Sequence, residues 1–279
     1  MKYYRTSKYI AFLSAAALSW PIISSAAPKN TQSPYQSDLL KLEKKYQSKL
    51  GIYAIDTANG NVVAYKEQQA FPFESTFKFM TVAALLYKME HTKQKTHFVS
   101  MGLKDLVPWS PVSALYIGKK VSLDTLAMAA LTYSDNGAIN AILNQMGGVK
   151  PINQFARGIG NNSFNLEHYE IKLNSNPTKK QDSSTPKDMA LSIKKVLLGN
   201  VLSKNNQGKI INWMKSSTTG YKRIRAGIPL GWSVADKTGS GSFGVANDIG
   251  IAWMPACRPI VLSIYSNSPM LTQSQTMLW

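Results

Sequence analysis

Strand-like segments lie at both ends of the chain, and a long block of helical patterns separates them. Near the N-terminus, residues 52–56 and 61–65 are rich in β-branched and aromatic side chains, and the Asn59-Gly60 pair between them is a strong hairpin signal. Strand-like runs return near the C-terminus at residues 234–237, 249–254 and 260–265. This order predicts an α/β lobe formed by both chain ends, with a helical lobe inserted between them.

The middle of the chain is dominated by apolar residues at helical spacing. The patterns predict helices over residues 77–89, 123–133, 139–146 and 186–198, and a further helix over residues 38–50 behind Ser37. No internal repeat or low-complexity linker interrupts them. We therefore expect one domain over residues 27–279, with the α/β lobe formed by residues 31–70 and 215–279 and the helical lobe by residues 71–214.

The first 26 residues have the pattern of a targeting segment. Lys2, Arg5 and Lys8 precede a largely apolar stretch over residues 10–23, and small residues follow it up to Ala26. The apolar stretch is shorter than a membrane span needs, which favours a secretory signal peptide cleaved after Ala26. An uncleaved N-terminal anchor is the alternative. We expect export to the periplasm and no stable membrane association after cleavage.

The composition of the full chain limits the kinds of site that it can form. Cys257 is the one cysteine and the three histidines are scattered, so neither an intramolecular disulfide nor a zinc cluster is expected, and no cofactor is implied. The net charge of +17 suits anionic partners, but the lysines are dispersed and lack the interleaved aromatic residues of a nucleic-acid platform. We expect a solvated basic surface that remains compatible with small anionic substrates.

A serine and a lysine three residues apart are the first candidate catalytic pair. Ser75-Thr76-Phe77-Lys78 enters an apolar helical run, and this spacing places both side chains on one helix face. A lysine amine neutralised by burial can take the serine proton and create a nucleophile. Alone the spacing is weak, because Ser184/Lys187 and Ser192/Lys195 repeat it; we interpret those two pairs as plain helix surface.

Three further clusters are each ambiguous alone. Ser134-Asp135-Asn136 follows a helical run and suits a helix N-cap or a turn. Lys237-Thr238-Gly239-Ser240 ends a strand, where it is either a turn or a cation with two hydroxyls beside a glycine that lets a ligand approach. Glu170 and Asn174 lie four apart in a polar stretch, which is either an exposed loop or a general base with its positioned water.

Taken together and in this order, Ser-x-x-Lys, Ser-Asp-Asn and Lys-Thr-Gly are the motif set of class A β-lactamases and penicillin-binding proteins. The chain resembles a class A serine β-lactamase over nearly its whole mature length. Further stretches carry the resemblance: Phe71 to Lys78, Tyr133 to Asn136, Glu170-x-x-Leu-Asn174, Asp182-Ser-Ser-Thr-Pro186, Asp236 to Ser240 and Asn247-Asp248. The resemblance implies a three-layer αβα lobe with an antiparallel sheet, an inserted all-α lobe, and an active site in the cleft between them.

The resemblance also implies a role for each matching residue. Ser75 attacks the lactam carbonyl and Ser134 passes a proton to the departing nitrogen, while the choice of Lys78 or Glu170 as acylation base stays open. The backbone N–H groups of Ser75 and Ser240 form the oxyanion hole, and Glu170 and Asn174 position the hydrolytic water. Substrate binding falls to Asn136, Asn174, Lys237, Thr238, Gly239, Ser240, Arg223 and Trp109. Arg225 is the nearest rival of Arg223, and an ordinary partly buried aromatic is the alternative for Trp109.

Four departures from the family pattern stand out. His168 replaces the arginine that in many members pairs with the aspartate matched by Asp182, so we expect that clasp to be weakened or replaced. Cys257 stands alone and Glu74 precedes the nucleophile, which puts carbapenem turnover in doubt. After Tyr265 only a short tail remains, and we expect the usual C-terminal cover helix to be shortened or missing.

The function these residues predict is hydrolysis of penicillins and cephalosporins through a serine acyl-enzyme, in a monomer without a cofactor or a nucleic-acid partner. A D-alanyl-D-alanine carboxypeptidase or penicillin-binding protein shares the serine and lysine chemistry, but Glu170-x-x-Leu-Asn174 argues against it. A non-catalytic cationic cell-wall-binding protein would explain the charge without explaining the ordered motifs.

Overall fold

The computed structural model of the protein describes residues 34–92, 98–173 and 181–268. The described residues form one compact unit. The predicted signal peptide over residues 1–26, the predicted binding residue Asn174 and the tail over residues 269–279 lie outside the described residues. Among the helices that the structure describes, none is long and apolar enough to cross a membrane.

The main sheet takes strands from both ends of the chain, as predicted. The described strands are β1 (Lys49–Asp56), β2 (Val62–Tyr65), β3 (Phe71–Pro72), β4 (Phe98–Ser100), β5 (Lys120–Ser122), β6 (Ser183–Ser184), β7 (Ser233–Ser240), β8 (Ala246–Trp253) and β9 (Ile260–Asn267). Five of them form one antiparallel sheet in the order β2-β1-β9-β8-β7. The predicted hairpin joins β1 to β2, and Gly60 in its turn has φ +81°, a conformation that glycine adopts without a Cβ clash.

Helices fill most of the chain between β2 and β7. They are α1 (Pro34–Tyr46), α2 (Phe77–His91), α3 (Leu123–Thr132), α4 (Asn136–Met146), α5 (Lys150–Gly158), α6 (Pro186–Leu198), α7 (Lys204–Lys215) and the single turn α8 (Ile224–Gly227). Side chains cap several of their first turns: Ser122 accepts from the Thr125 N–H, and Thr185 accepts from the Asp188 N–H. The helical patterns predicted for α2, α3, α4 and α6 are confirmed within a few residues.

One predicted helix boundary is wrong, and three described helices, α5, α7 and the single turn α8, were not predicted. The helix expected over residues 38–50 ends at Tyr46, because Lys49 and Leu50 belong to β1 and pair with Asn267 and Ser266 of β9. Strand pairing across the fold overrides the local helical spacing there. The patterns gave no prediction for α5 and α7. In α7, asparagine and glycine weaken the local helix signal, and the helix is stabilised by burying residues such as Ile210 and Met214.

The two faces of the sheet have different partners. On one face, α6 packs against β1 and β9 and α7 packs against β7, and the Tyr265 and Phe71 rings stack with centroids 6.1 Å apart. On the other face, Ile224 of α8 packs with Val234 and Ala252. Because β7 lies at the edge of the sheet beside the turn that precedes α2, residues of the last strands reach the motifs of the helical block.

Candidate active site

Ser75 lies in a short 3-10 helix, Glu74–Thr76, that leads directly into α2. Thr76 Oγ1 donates a hydrogen bond to the carbonyl of Phe73 at 2.7 Å and so stabilises the turn. Because the first turns of α2 are buried, Lys78 is fully removed from solvent. The three-residue spacing works as predicted, since Lys78 Nζ donates to Ser75 Oγ at 2.9 Å.

The Lys78 ammonium is surrounded by oxygen acceptors. It donates to the carbonyl of Ser134 at 2.8 Å and to Asn136 Oδ1 at 2.6 Å, and it forms an ion pair with Glu170 Oε1 at 2.9 Å. Burial lowers the pKa of Lys78, and the Glu170 carboxylate opposes that shift. The site therefore joins the Ser-x-x-Lys turn, the Ser-Asp-Asn segment and the Glu170 loop through one buried amine.

The Ser-Asp-Asn segment is held by its central residue. Asp135 caps α4 by accepting from the Ala138 N–H at 2.8 Å, and its other oxygen accepts from the N–H groups of Val112 and Ser113 at 2.8 Å each. The prediction that this motif is a helix N-cap is thus correct, but capping is only part of its role. The cap also fixes the neighbours of Asp135, so that the Ser134 carbonyl and the Asn136 amide both reach Lys78.

A second buried lysine approaches from β7. Lys237 Nζ donates to Ser134 Oγ at 3.0 Å and to the carbonyl of Thr238 at 2.9 Å. Burial and the positive charge of Lys78 lower the pKa of Lys237 to about 7. Lys78 Nζ also lies 3.3 Å from Ser134 Oγ. Because that hydroxyl oxygen accepts from Lys237, its own proton is available to another acceptor.

The rest of the β7 motif alternates between two surroundings, as side chains of a strand do. Thr238 and Ser240 line the cavity beside Ser75, and Thr238 Oγ1 lies 2.6 Å from Thr219 Oγ1. Gly239 lies on the other side, where an added Cβ would be 2.6 Å from the carbonyl oxygen of Phe73. Its missing side chain therefore admits the turn that carries Ser75.

The structure separates the two candidate arginines. Arg223 Nη2 donates to Ser240 Oγ at 3.0 Å, which places its guanidinium at the end of β7. The Arg225 guanidinium instead pairs with the buried carboxylate of Asp236 and donates to the carbonyl of Met214 at 2.8 Å. Arg223 is thus the one of the two that lies beside the cavity-lining residues of β7.

Glu170 is brought to Ser75 by a segment that has little regular structure. Its side chain is 8% exposed, and Ser75 Oγ donates to its Oε1 at 3.1 Å. Asn140 of α4 fixes the backbone of Glu170 on both sides, because its amide nitrogen donates to the Glu170 carbonyl at 2.7 Å and its amide oxygen accepts from the Glu170 N–H at 3.0 Å. The described part of this segment is therefore an ordered support for a buried carboxylate.

The clasp at the base of this segment is retained with a histidine. His168 Nδ1 lies 2.7 Å from Asp182 Oδ2, and the other carboxylate oxygen accepts from the N–H groups of Glu167 and His168 at 2.8 and 3.0 Å. Asp182 is fully buried. A neutral imidazole can donate one N–H to a carboxylate, so the hydrogen bond does not require the positive charge that an arginine carries.

These residues open onto a cavity of about 580 Å³, whose lining includes Ser75, Ser134, Asn136, Glu170, Thr238 and Ser240. Trp109 forms part of its wall and is 65% exposed, and its Nε1 donates to the carbonyl of Tyr133 at 2.9 Å. The alternative of a partly buried core aromatic therefore does not describe Trp109.

Comparison with known proteins identifies the relatives of this chain. Residues 34–277 match the model of the beta-lactamase enzyme family. The chain is 43% identical to Beta-lactamase 3 of Bacillus cereus over 81% of its length and 72% of the relative, and 39% identical to Beta-lactamase SME-1 of Serratia marcescens over 93% and 89%. The protein belongs to the beta-lactamase family. A solved variant of the last common ancestor of the Gram-negative class A enzymes superposes with a TM-score of 0.83 at 35% identity, covering 88% of this chain and 94% of that one.

Two supports of this class A β-lactamase site were missed by sequence reasoning. Asn140 lies one helical turn after Asn136 on α4, so the four-residue spacing could have indicated a second amide facing the same cavity. Thr219, whose hydroxyl contacts Thr238, lies in a segment without a recognisable pattern. It meets β7 only through the fold, and no local signal marks it.

The interpretation of the two other Ser-x-x-Lys pairs as helix surface is wrong. Ser184 belongs to the short strand β6 and is fully buried, and Ser192 on α6 is 1% exposed. Ser192 Oγ accepts from Asn161 Nδ2 at 3.0 Å and donates to the carbonyl of Asp188 at 2.7 Å. Ser184 Oγ lies 3.1 Å from Ser163 Oγ, so both buried hydroxyls have hydrogen-bond partners. Lys195 Nζ donates to the carbonyl of Ile159 instead.

Proposed function

We propose that this β-lactamase opens the β-lactam ring by acylating Ser75 and releases the product with a water activated by Glu170. The observation that carries the proposal is the convergence on one hydroxyl: Lys78 Nζ lies 2.9 Å and Glu170 Oε1 lies 3.1 Å from Ser75 Oγ. A nucleophile with a base on each side suits a reaction that needs a proton removed twice, once from serine and once from water.

Acylation begins when Ser75 Oγ attacks the lactam carbonyl and loses its proton. Two acceptors lie within reach of that proton, the Glu170 carboxylate directly and the Lys78 amine once it is neutral. In the arrangement described, Lys78 donates to Ser75 Oγ, which leaves the serine proton directed at Glu170. The negative charge that develops on the lactam oxygen falls to the N–H groups of Ser75 and Ser240, each such donor typically contributing about 3 kcal/mol.

The leaving nitrogen takes its proton from Ser134. The Ser134 oxygen accepts from Lys237 and lies 3.3 Å from the Lys78 ammonium, so its own hydrogen is free to be donated to the substrate. As the proton leaves, the two ammonium groups stabilise the oxygen and can return a proton to it. These contacts support a role for Ser134 as the proton shuttle between the buried lysines and the opened ring.

Substrate orientation rests on charge at one end and on hydrogen bonds along β7. The hydroxyls of Thr238 and Ser240 line one end of the cavity, with Arg223 hydrogen-bonded to Ser240 and the buried Lys237 hydrogen-bonded to Ser134. This cationic, hydroxyl-lined end suits the carboxylate shared by penicillins and cephalosporins. Asn136 and Asn174 are assigned to the side-chain amide of the antibiotic and to the hydrolytic water. Trp109 provides an apolar wall.

Deacylation distinguishes this function from that of a penicillin-binding protein. Glu170 is held beside Ser75, where its carboxylate can take a proton from a water that attacks the ester. A penicillin-binding protein that lacks such a base would remain acylated. A non-catalytic cell-wall-binding protein has no need of a buried lysine, carboxylate and hydroxyl in mutual contact.

We further propose that the enzyme acts as a monomer in the periplasm after cleavage at Ala26. The basic N-terminal segment, its short apolar run and the small residues before the cleavage point support export. The periplasm is where a β-lactam would be met before it reaches cell-wall enzymes. Mass spectrometry of the protein from periplasmic extracts should find a mature N-terminus at Ala27.

Incubation of the purified enzyme with a chromogenic cephalosporin tests the function directly. Continuous colour beyond one equivalent supports the β-lactamase. A burst of one equivalent followed by no turnover would indicate a penicillin-binding protein, and no colour at all would indicate a binding protein. Mass spectrometry of the quenched reaction should locate the transient adduct on Ser75.

A further inference from the structure

Glu74 is a buried acid that the proposed mechanism does not use. It immediately precedes Ser75, is 8% exposed, and has φ +45°, a backbone conformation that is costly for residues other than glycine. Its side chain also lines the cavity. A carboxylate held there needs a reason, because burying a charge beside a site that must stabilise an oxyanion is unfavourable in itself.

The Glu74 carboxyl group packs directly onto the end of β7. A Cβ built on Gly241 would lie 2.1 Å from Glu74 Oε1 and 2.3 Å from Glu74 Cδ. Two residues earlier, a Cβ on Gly239 would lie 3.1 Å from Glu74 Cβ. The end of β7 therefore packs against Glu74 through two glycines, and no space for a side chain remains between each glycine and Glu74.

This contact joins the two backbone segments that carry the proposed oxyanion donors. Ser75 follows Glu74 in the chain, and Ser240 precedes Gly241. When the Glu74 side chain keeps its position, a change in the size of the group between residues 74 and 241 moves one donor relative to the other; when its carboxyl end turns aside, both donors stay in place. Misplacing a reacting group by about 1 Å can cost about 10²-fold in rate.

We propose that Glu74 is a positioning residue whose side chain, packed on Gly241, sets the distance between the Ser75 and Ser240 N–H groups. This inference rests on the proposed function, since it assigns a purpose to the oxyanion hole of that mechanism. The side chain acts through its length and shape, and Gly241 is required because Glu74 occupies the space that a Cβ would need.

The charge of Glu74 has a second, smaller effect on the same site. It is one of several negative groups that raise the pKa of Lys78 against the effect of burial, the others being Glu170 and Asp135. Lys237 is the neighbouring positive group. Glutamine keeps the size of glutamate and removes its charge. E74Q therefore separates the effect of the side chain's size on the two N–H groups, which we call the spacer effect, from the effect of its charge on Lys78.

A double-mutant cycle on residues 74 and 241 tests the spacer effect. In G241A the new methyl group overlaps the Glu74 carboxyl, and the rate of Ser75 acylation by penicillin should fall by about 10²-fold. In E74A/G241A the methyl group occupies space that Glu74 has vacated, and acylation should recover by about tenfold relative to G241A. E74Q should remain within about tenfold of wild type because the volume is conserved.

A boronic acid, which forms a tetrahedral adduct on a serine, reports on the oxyanion hole itself. Its dissociation constant should weaken in G241A by a factor similar to the loss in acylation rate and recover in E74A/G241A, which a general loss of folding would not produce. G208A is the matched control, because an added Cβ at Gly208 on α7 meets nothing within 4 Å.

Additive effects of E74A and G241A, or full activity of G241A, would contradict the proposal that the Glu74 side chain sets the distance between the two N–H groups. If melting curves show that G241A does not fold, E74A against E74Q decides instead: the spacer effect requires slower acylation in E74A, and equal rates contradict it. Failure of the proposed function would look different, because wild type itself would then show no β-lactam adduct on Ser75.

Discussion

The two halves of the active site are supported in different ways. Ser75 and Lys78 lie at the start of α2, a helix whose first turns are buried in the core, and Asn136 begins α4. Glu170 lies between α5 and α6 in a segment with little regular structure. The acylating half is thus fixed by helix packing, whereas the deacylating half is fixed by individual side chains such as Asn140 and Asp182.

Because their supports differ, the two chemical steps can be disturbed separately. Leu166 and Leu173 anchor the segment around Glu170 in the core, whereas the Glu170 backbone itself is held by the two hydrogen bonds from Asn140. A change at Asn140 therefore leaves the helices that carry Ser75 and Lys78 in place. The two halves meet at Ser75 Oγ and at the ion pair of Lys78 with Glu170. Variants in each half should therefore have distinct kinetic signatures.

The largest effect is expected from the atom that both halves share. Ser75→Ala removes the nucleophile and leaves the core unchanged, so turnover and covalent labelling should both be lost while the melting temperature stays near that of wild type. Mass spectrometry after penicillin exposure should show an adduct on wild type only. An adduct at Ser184 or Ser192 in the alanine variant would show that the nucleophile is misassigned.

Removing the base of the deacylating half should give the next largest effect. Glu170→Ala leaves Ser75, Lys78 and Ser134 in place, so part of the acylation should survive while deacylation slows by about 10²–10⁴-fold. Stopped-flow measurements should show a burst near one equivalent and then almost no turnover, with the adduct persisting on Ser75. Wild-type turnover without accumulated adduct would mean that Glu170 is not the base.

The same contrast explains what the sequence could predict. The acylating half depends on local spacing: three residues along a helix bring Ser75 to Lys78, and a capping aspartate fixes the residues beside it, so motifs alone identify it. The sheet was predictable because β-branched runs and Asn59-Gly60 act locally. By contrast, the end of α1 was not, because β9 pairs with Lys49 and Leu50 from more than 200 residues away.

The supports of Glu170 were harder to predict for a related reason. The sequence predicts that the clasp on Asp182 is weakened or replaced, and the structure shows a replacement in which the His168 ring and two backbone N–H groups contact that carboxylate. Backbone donors leave no mark in a sequence pattern. The same holds for the contact of Glu74 with Gly241, since two residues that are far apart in sequence meet only in the folded chain.

An intermediate effect on the deacylation rate is expected when the hydrogen bonds from α4 to the Glu170 backbone are removed. Asn140→Ala removes both hydrogen bonds to Glu170, each typically worth about 1 kcal/mol, so deacylation should slow by roughly tenfold to a hundredfold while acylation changes little. Pre-steady-state kinetics with a penicillin separates the two rates. Asn144→Ala on the exposed side of α4 is the control. Equal slowing of both steps would contradict the separate support of the two halves.

The smallest effect concerns Lys237, which serves substrate binding before either step. Its pKa is lowered to about 7, so the ammonium loses its proton as the pH rises above about 7 and the cavity loses a positive charge that faces the substrate carboxylate. The value of kcat/KM, which reports the free enzyme, should then fall by up to about tenfold in total as Lys237 loses its proton on this basic side.

Lys237→Arg distinguishes this cause from others, because a guanidinium stays protonated throughout the range. Whatever its activity at pH 7, the variant should lose the decrease in kcat/KM between about pH 7 and pH 9, whereas the decrease should persist in Asn140→Ala, whose defect lies in the later step. An unchanged basic side in Lys237→Arg would assign the titration to another group, with Lys78 as the remaining buried amine of the site. The pH profile of kcat/KM thus distinguishes the contribution of Lys237 to substrate binding from the contributions of the acylating and deacylating halves to the two chemical steps.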